Sequence, residues 1–392
     1  MPICLQHKAF RCATPDIVGS PTASLTCLVL RPQQSKPVPR SSTNWRTGSV
    51  SELRLAAPEV ADPMEAPTLR WGILGTGQIA DAFATALREG TRQRVAAVGS
   101  RTLERAQAFG AKHGAETAYG SYAELVADPS VDVVYVASPH SEHRDHALLA
   151  INAGKHVLVE KAFTRNVIEA TEVLDAARAR GVFCAEAMWA RFLPHYDVVR
   201  RTVAAGTLGR LGMIVADHGQ PLWPDGPARL SDPDLAGGAL LDLGVYPMSF
   251  AQMLLPEATV ERTTGRLTDR GVDEWSVTTL VQDGIPAICQ STMAAQTTNS
   301  AVVAGFSARL EIDSWFYTPT TVRLVTPEGE VDRFEAPDQD NGLRYEAAET
   351  ARCIAAGLTE TPVMSHADTL AVMRLMDTVR AELGQRYPGE PA

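Results

Sequence analysis

Three side chains in this sequence have the chemistry to move a proton together. Lys161 and Glu160 close an apolar run, His156 to Val159, that reads as a buried strand. Asp242 and Tyr246 lie within Gly237 to Leu255, which reads as a helix, and their i, i+4 spacing puts them on one face. An amine at a buried strand end can have its pKa lowered and donate a proton or hydrogen bond to a substrate oxygen. A phenol, ordinarily with a pKa of about 10, can donate or accept a proton once an ammonium stabilises the phenolate. The carboxylate would orient substrate hydroxyls or the amine. Each residue also has an ordinary reading: a solvated lysine, an aspartate paired with a base, a packed tyrosine with a wet hydroxyl.

These residues need elements to hold them, and the chain supplies a candidate frame upstream. Trp71 to Leu74 is a short apolar run that ends in Gly75-Thr76-Gly77-Gln78-Ile79-Ala80, a G-x-G-x-x-A turn, with a helix-compatible stretch from Asp81 to Arg88. Gly75 permits the tight turn, Gly77 lets backbone approach a pyrophosphate, and Ala80 lets helix pack on strand. The helix N-terminus then offers free N–H groups to phosphates. A second apolar run, Arg94 to Ser100, ends in Ser100-Arg101, about 25 residues after Gly75. NAD enzymes usually carry an acid there for the ribose 2′-OH, and a basic residue instead accommodates a 2′-phosphate. Arg101 can pair with that phosphate and stack on adenine, so NADP is expected ahead of NAD.

Val131 to Ser138 is a nearly continuous β-branched run that stops at Pro139, after which His140, Ser141, Glu142 and His143 open a helix. His143 and His146, at i, i+3, raise the question of metal. No cysteine or third ligand lies at a usual spacing, so no metal is expected, and His140 and His143 read as helix caps or ligand contacts. Asn166 to Arg180 is helical and Val182 to Met188 a further strand. This β-α alternation implies a doubly wound parallel sheet. Beyond Arg191 the pattern changes to short alternating segments: Gly209 to Gly219, Trp275 to Val281, Ala287 to Met293, Val302 to Ile312 and Thr321 to Val325. Runs of strands imply an α+β part with a mostly antiparallel sheet. Tyr345 to Ala356 and Ala367 to Leu383 read as amphipathic helices. The expected division is an extension over 1–65, a Rossmann-type domain over 66–190, an α+β domain over 191–340, and helices over 341–392 packing back on the body.

Composition narrows the class of partner. The 392 residues are 45% hydrophobic and 21% charged with a net charge of −10, which argues against a nucleic-acid or anionic-membrane surface. No apolar run approaches the roughly 18 residues of a membrane span. Cys4, Cys12, Cys27, Cys184, Cys289 and Cys353 form no C-x-x-C pair, which suggests reduced thiols in the cytoplasm. Residues 1–65 are rich in Pro, Ser and Thr; the first fifty carry six Lys and Arg against one acid, Asp16. They read as a disordered tail, a targeting peptide being the alternative, with Met64 a possible working start.

The chain resembles the Gfo/Idh/MocA oxidoreductase family (glucose–fructose oxidoreductase and inositol dehydrogenase) through three motifs in order. These are Gly75 to Ala80, Ala-Gly-Lys-His-Val-Leu-Val-Glu-Lys at 153–161, and Gly-Gly-Ala-Leu-Leu-Asp-Leu-Gly-Val-Tyr at 237–246. The Glu-Lys motif usually continues with Pro, and Ala162 departs from it. His140, Glu-Ala-Met-Trp-Ala-Arg-Phe at 186–192 and Tyr246 resemble the dihydrodiol dehydrogenase-like branch. The resemblance implies reversible hydride transfer between NADP(H), with NAD(H) possible, and a secondary alcohol or carbonyl of a sugar, polyol or dihydrodiol. Lys161, Tyr246 and Asp242 would be the catalytic residues. Trp189 and Arg191, with Asp242 and Tyr246, would line the pocket for a small-molecule substrate. Gly75, Thr76, Gly77, Gln78, Ile79, Ser100, Arg101, Ser138, Pro139, His140, His143, Glu160 and Lys161 would face the cofactor. It also implies a homo-oligomer, dimer or tetramer, through the far side of the C-terminal sheet. The alternatives are a catalytically silent nucleotide-binding regulator, or an NAD-dependent enzyme acting on inositol-type or glycosidic substrates.

Overall fold

A computed structural model describes residues 53–337 and 342–390; most of the proline- and serine-rich extension, residues 1–52, lies outside them. The first sheet contains β1 (Arg70–Leu74), β2 (Arg94–Gly99), β3 (Thr117–Tyr119), β4 (Val133–Val136), β5 (His156–Glu160) and β6 (Cys184–Ala187). Its order is β3-β2-β1-β4-β5-β6 and every neighbouring pair is parallel. This is the doubly wound arrangement, whose ligand crevice lies outside the carboxyl ends of the strands where the order reverses, between β1 and β4. The sequence dictates it directly. All four residues of β4, Val-Val-Tyr-Val, are buried, as a strand covered by helices on both faces requires.

The covering helices are α1 (Gln78–Gly90), α2 (Leu103–His113), α3 (Tyr122–Ala127), α4 (His143–Asn152) and α5 (Val167–Arg180). Asn166 caps α5 by accepting from the Glu169 N–H at 3.0 Å, and Gly181 ends it. Phe83 of α1 stacks on Tyr135 of β4 with ring centroids 3.8 Å apart, while Trp71 of β1 meets Phe83 edge-on at 5.1 Å. That stack fixes Tyr135, whose hydroxyl reaches Glu160 at the end of β5.

The second sheet has eight strands in the order β14-β13-β12-β11-β7-β10-β9-β8. They are β7 (Leu211–Gly219), β8 (Thr259–Leu267), β9 (Asp273–Gln282), β10 (Ile285–Thr292), β11 (Ala301–Gly305), β12 (Arg309–Ile312), β13 (Thr321–Thr326) and β14 (Gly329–Glu335). Only β7 and β10 pair in parallel; the rest are antiparallel. The fold is thus α/β with a large mixed sheet beside the parallel one. Its helices are α6 (Pro194–Ala204), α7 (Val245–Leu254), α8 (Leu343–Ala355) and α9 (His366–Leu383).

Three differences from the sequence reading have physical causes. Val302 to Ile312 is a hairpin rather than one strand. The Gly305 N–H bonds the Ala308 carbonyl at 2.9 Å across the reversal, where Gly305 and Ser307 were the available turn signal. Helix α6 begins at Pro194 and was absent from the sequence reading, because its many polar residues obscured the helical spacing of buried Tyr196, Val199 and Thr202 behind a proline in the first turn. Residues 53–65, expected to lie outside the fold, pack on the body. The N–H groups of Leu55, Ala56 and Glu59 donate to Asp332, Thr202 and Asp197 at 2.9, 2.9 and 2.7 Å. Two of those acceptors sit on α6 itself.

Phe83→Ala should cost about 3–5 kcal/mol through lost burial and the cavity left above Tyr135. Urea denaturation of the variant against the parent chain measures it.

Candidate active site

The ends of β1, β2, β4 and β5 converge on one rim, and each carries candidate ligand contacts. Gly75 follows β1 at φ +101°, where an added Cβ would stand 2.9 Å from the Ala137 carbonyl; only glycine fits this crossing of two strand ends. Gly77 caps α1, and a Cβ built there meets nothing within 4 Å. The backbone before α1 therefore faces open space, as a pyrophosphate cradle requires. Thr76 and Ser100 approach each other at 3.5 Å between their hydroxyls. Ser100 is buried while Arg101, next along, is exposed. Gln78 and Pro139 are exposed, and Ile79 and Ser138 half-buried, along the same rim. These residues fit a dinucleotide laid along the rim.

Two histidines are buried along this rim. His143 is fully buried between the ends of β4 and β5, its Nδ1 2.9 Å from the Ala162 carbonyl and its Nε2 2.8 Å from that of Ser138, and as a neutral ring it donates to one of the two. Burial pushes its ring down to about 4. His140 lies between the carbonyls of Ala236 and Lys161 at 3.3 and 3.2 Å, and burial holds it neutral, at about 3. Both act as struts within the rim rather than as helix caps. His146 bonds the Ser138 hydroxyl at 2.9 Å, apart from the other two. Among the described residues no group of three or more His, Cys, Asp or Glu is placed to hold a metal ion.

Lys161, Asp242 and Tyr246 come together. The Lys161 ammonium donates to the Asp242 backbone carbonyl at 2.8 Å and to its carboxylate at 3.4 Å, and lies 5.2 Å from the centre of the Tyr246 ring. The peptide bond after it, Lys161–Ala162, is cis. Asp242 does not sit on a regular α-helix as its spacing from Tyr246 suggested. Leu240–Gly244 is one wide π-type turn that runs into α7. A reason lies in Pro247. An α-type bond to the Leu243 carbonyl, or a π-type bond to that of Asp242, would need an N–H that proline lacks. Side chains bring donors to both carbonyls: Lys161 on Asp242, and His218 Nδ1 on Leu243 at 3.1 Å. Such widened turns recur at functional sites.

The electrostatics are uneven. Burial opposes charge on Asp242, but the Lys161 ammonium and the Arg229 guanidinium, 3.1 Å from its carboxylate, outweigh it and hold the carboxyl well below the usual range. The Tyr246 phenol moves the other way: burial raises it well above 10 even though the Trp189 indole N–H donates to its oxygen at 2.7 Å. Tyr246 is therefore a neutral phenol with its own proton free to give, and the ammonium faces its ring. Burial thus opposes the phenolate that the sequence suggested beside Lys161. Glu160 is buried behind Lys161, where it accepts from the Tyr135 hydroxyl and from the Lys161 N–H at 3.1 Å; burial raises it to about 7. It supports the strand end from behind instead of facing a ligand.

Of the two expected pocket residues, Trp189 lies against Tyr246 and Arg191 does not line the pocket. The Arg191 guanidinium is buried, donating to the Ser249 hydroxyl and carbonyl at 2.8 Å each and to Gln252 at 2.5 Å. Burial lowers it to about 10. Its work is to tie the Trp189–Phe192 turn to α7, which sets Trp189 against Tyr246. The sequence reading missed Arg229, His218 and Tyr317. His218 stacks on Tyr317 with centroids 4.1 Å apart, and Tyr317 lies 4.7 Å from Tyr246. Gln220 donates to His218 Nε2 at 2.9 Å, which leaves Nδ1 to carry the proton toward Leu243. The run Trp315-Phe316-Tyr317 was the available signal for one of them; His218 and Arg229 had none.

Comparison with known proteins agrees with this frame. The model of the oxidoreductase family with an NAD-binding Rossmann fold, GFO_IDH_MocA, matches residues 69–188, and that of the GFO/IDH/MocA C-terminal domain matches 196–312. A trans-1,2-dihydrobenzene-1,2-diol dehydrogenase from Danio rerio is 38% identical over 332 residues, covering 81% of this chain and 98% of the relative. A 3-ketoreductase from Actinomadura kijaniata, solved with TDP-benzene and NADP, superposes with a TM-score of 0.71 at 28% identity. It aligns with 81% of this chain and 98% of its own. An aldose-aldose oxidoreductase from Caulobacter crescentus gives a TM-score of 0.74 at 26% identity, over 81% of this chain and 98% of that one. With both halves matched in order and a relative at this identity over nearly its whole length, the chain belongs to the Gfo/Idh/MocA oxidoreductase family.

Proposed function

We propose that this protein is an NADP(H)-dependent oxidoreductase that interconverts a secondary alcohol and a carbonyl on a dihydrodiol, polyol or sugar. One observation carries the reading: a strand-end lysine, a carboxylate and a neutral phenol meet beside the rim that fits a dinucleotide. The relative from Danio rerio supports the diol, and the ketoreductase solved with NADP supports the choice of cofactor. When bound, the nicotinamide supplies or accepts the hydride. The protein does the rest.

Lys161 keeps donor capacity beyond its two bonds to Asp242, since an ammonium carries three N–H groups. It would hydrogen-bond the reacting oxygen and stabilise negative charge that develops there. Tyr246, its oxygen already accepting from Trp189, would give its proton to that oxygen during reduction and take it back during oxidation. Asp242 would hold Lys161 and a neighbouring substrate hydroxyl, with Arg229 closing the carboxylate's other side. Tyr317, His218 and Trp189 would enclose the apolar face of a ring. Arg101 would pair with the 2′-phosphate.

The same reading extends to assembly and location. We place a homo-oligomer contact on the outer face of the eight-stranded sheet, where Met213 and Val277 are exposed on strands two apart. A cytoplasmic location is supported by the free, buried thiols of Cys184, Cys289 and Cys353. Among the described residues no helix is long and apolar enough to cross a membrane.

Lys161→Ala should lower kcat by at least about 100-fold while NADPH still binds. Reduction of NADP+ in the presence of trans-1,2-dihydrobenzene-1,2-diol, polyols and aldoses reads the first, and NADPH fluorescence titration the second. Undiminished turnover would end the assignment. Arg101→Ala should weaken NADPH by about 10- to 100-fold, the worth of one or two charge-assisted hydrogen bonds, and leave NADH nearly unaffected. Equal weakening of both dinucleotides in parallel titrations would remove Arg101 from the 2′-phosphate.

A further inference from the structure

The two arms that carry Lys161 and Asp242 share a tether remote in sequence from both. After α9 and Gly384, the chain runs through Gln385, Tyr387, Pro388 and Glu390. Tyr387 is buried, and its hydroxyl donates to the Gly237 carbonyl at 2.7 Å. Glu390 accepts from the Asn166 side-chain amide at 2.8 Å, and Arg165 donates to the Pro388 carbonyl at 3.0 Å. Asn166 follows Lys161 by five residues and Gly237 precedes Asp242 by five. One short segment thus grips the chain just after the amine and just before the carboxylate.

The segment is itself held firmly. Arg380 of α9 donates to both Glu390 oxygens at 2.8 and 2.9 Å and lies over the Tyr387 ring at 4.7 Å. The Tyr387 N–H bonds Glu390 at 3.0 Å, and Gln385 donates to the Tyr387 oxygen at 3.2 Å. At the other end of the tether the backbone has little play. Gly238 lies at φ +112°, where a Cβ would stand 2.1 Å from Asp273 Oδ1, and Asp273 Oδ2 accepts from the Leu240 N–H at 2.7 Å as the wide turn begins. Movement of Gly237 is therefore transmitted into the turn that presents Asp242. Besides this tether, the Lys161 ammonium reaches Asp242 directly, and the His140 ring stands between the Ala236 and Lys161 carbonyls.

We infer that Tyr387 and Glu390 are positioning residues that set the spacing between the Lys161 ammonium and Asp242. The inference rests on the oxidoreductase reading of that pair. Loosening the strap lets the pair drift apart, and a misplacement of about 1 Å is enough to cost up to 100-fold in rate. It also weakens the hold of Lys161 on the Asp242 carboxylate. That carboxyl is depressed by its two cations, so separation raises its pKa and moves the acid limb of the rate profile to higher pH.

The test uses the full chain with Tyr387→Phe, Glu390→Gln and Lys161→Ala, assayed with NADP+ and trans-1,2-dihydrobenzene-1,2-diol. Tyr387→Phe keeps the ring packing and removes one hydrogen bond. It should lower kcat about 10-fold, shift the acid limb upward and leave the NADPH dissociation constant within about twofold. Glu390→Gln should act in the same direction, and it decides the question if Tyr387→Phe does not fold. Parental kcat and an unmoved acid limb in a folded variant overturn the strap while Lys161→Ala remains inactive. If Lys161→Ala turns over like the parent, the oxidoreductase reading falls and takes the strap with it.

Discussion

The structure depends on one contact across layers, the Lys161 ammonium lodged against the carbonyl and carboxylate of Asp242. Lys161 comes from a parallel strand and Asp242 from a turn packed on the other sheet. A partly buried ammonium must find acceptors or forfeit its charge. Here both acceptors belong to a single residue, so satisfying the lysine and joining the two layers are the same event. The carboxylate in turn has a second cation, Arg229, and stays ionised despite burial. The surrounding framework serves to make that meeting exact: His143 stands between the strand ends, Arg191 locks the Trp189 turn to α7, and the Tyr135–Glu160 pair backs the strand end.

The parallel sheet was legible because its physics is local. Strands such as Val133–Val136 are buried on both faces and so are apolar throughout. Glycine at the turns and Asn166 at the start of α5 announce where helices begin and end. The residue types at the rim, Gly75, Gly77, Arg101 and Lys161, state their own chemistry, and the structure assembles them on one edge. The eight-stranded sheet was legible as a pattern of strands but not in its connections. One turn, Gly305 to Ala308, lay within a stretch read as a single strand, and the many polar residues of α6 obscured the helical spacing of its buried face.

What the sequence misassigned follows from burial and partners, which residue type alone does not disclose. Arg191 has the donors of an anion site, yet every bond it makes is to Ser249 or Gln252 in the interior. Glu160 adjoins the lysine in sequence, and alternation along the strand turns it to the opposite side, toward Tyr135. Tyr246 stands beside Lys161 as its spacing suggested, but burial favours its neutral form, against the hydrogen bond that the indole of Trp189 donates to its oxygen. Arg229, His218 and Tyr317 arrive from a loop, a strand end and a hairpin far apart in sequence, and only the tertiary fold brings them to one wall.

Pro247 invites a different view of helix α7. By the measures that make a good helix it is a flaw, an interruption near the start of an otherwise apolar segment. Remove the interruption and the restored N–H would claim one of the two oxygens that now accept from Lys161 and His218. Any mutation that perfects the helix therefore competes with the side chains that now donate to these oxygens, so regularity and the present Lys161 contact are alternatives at this position.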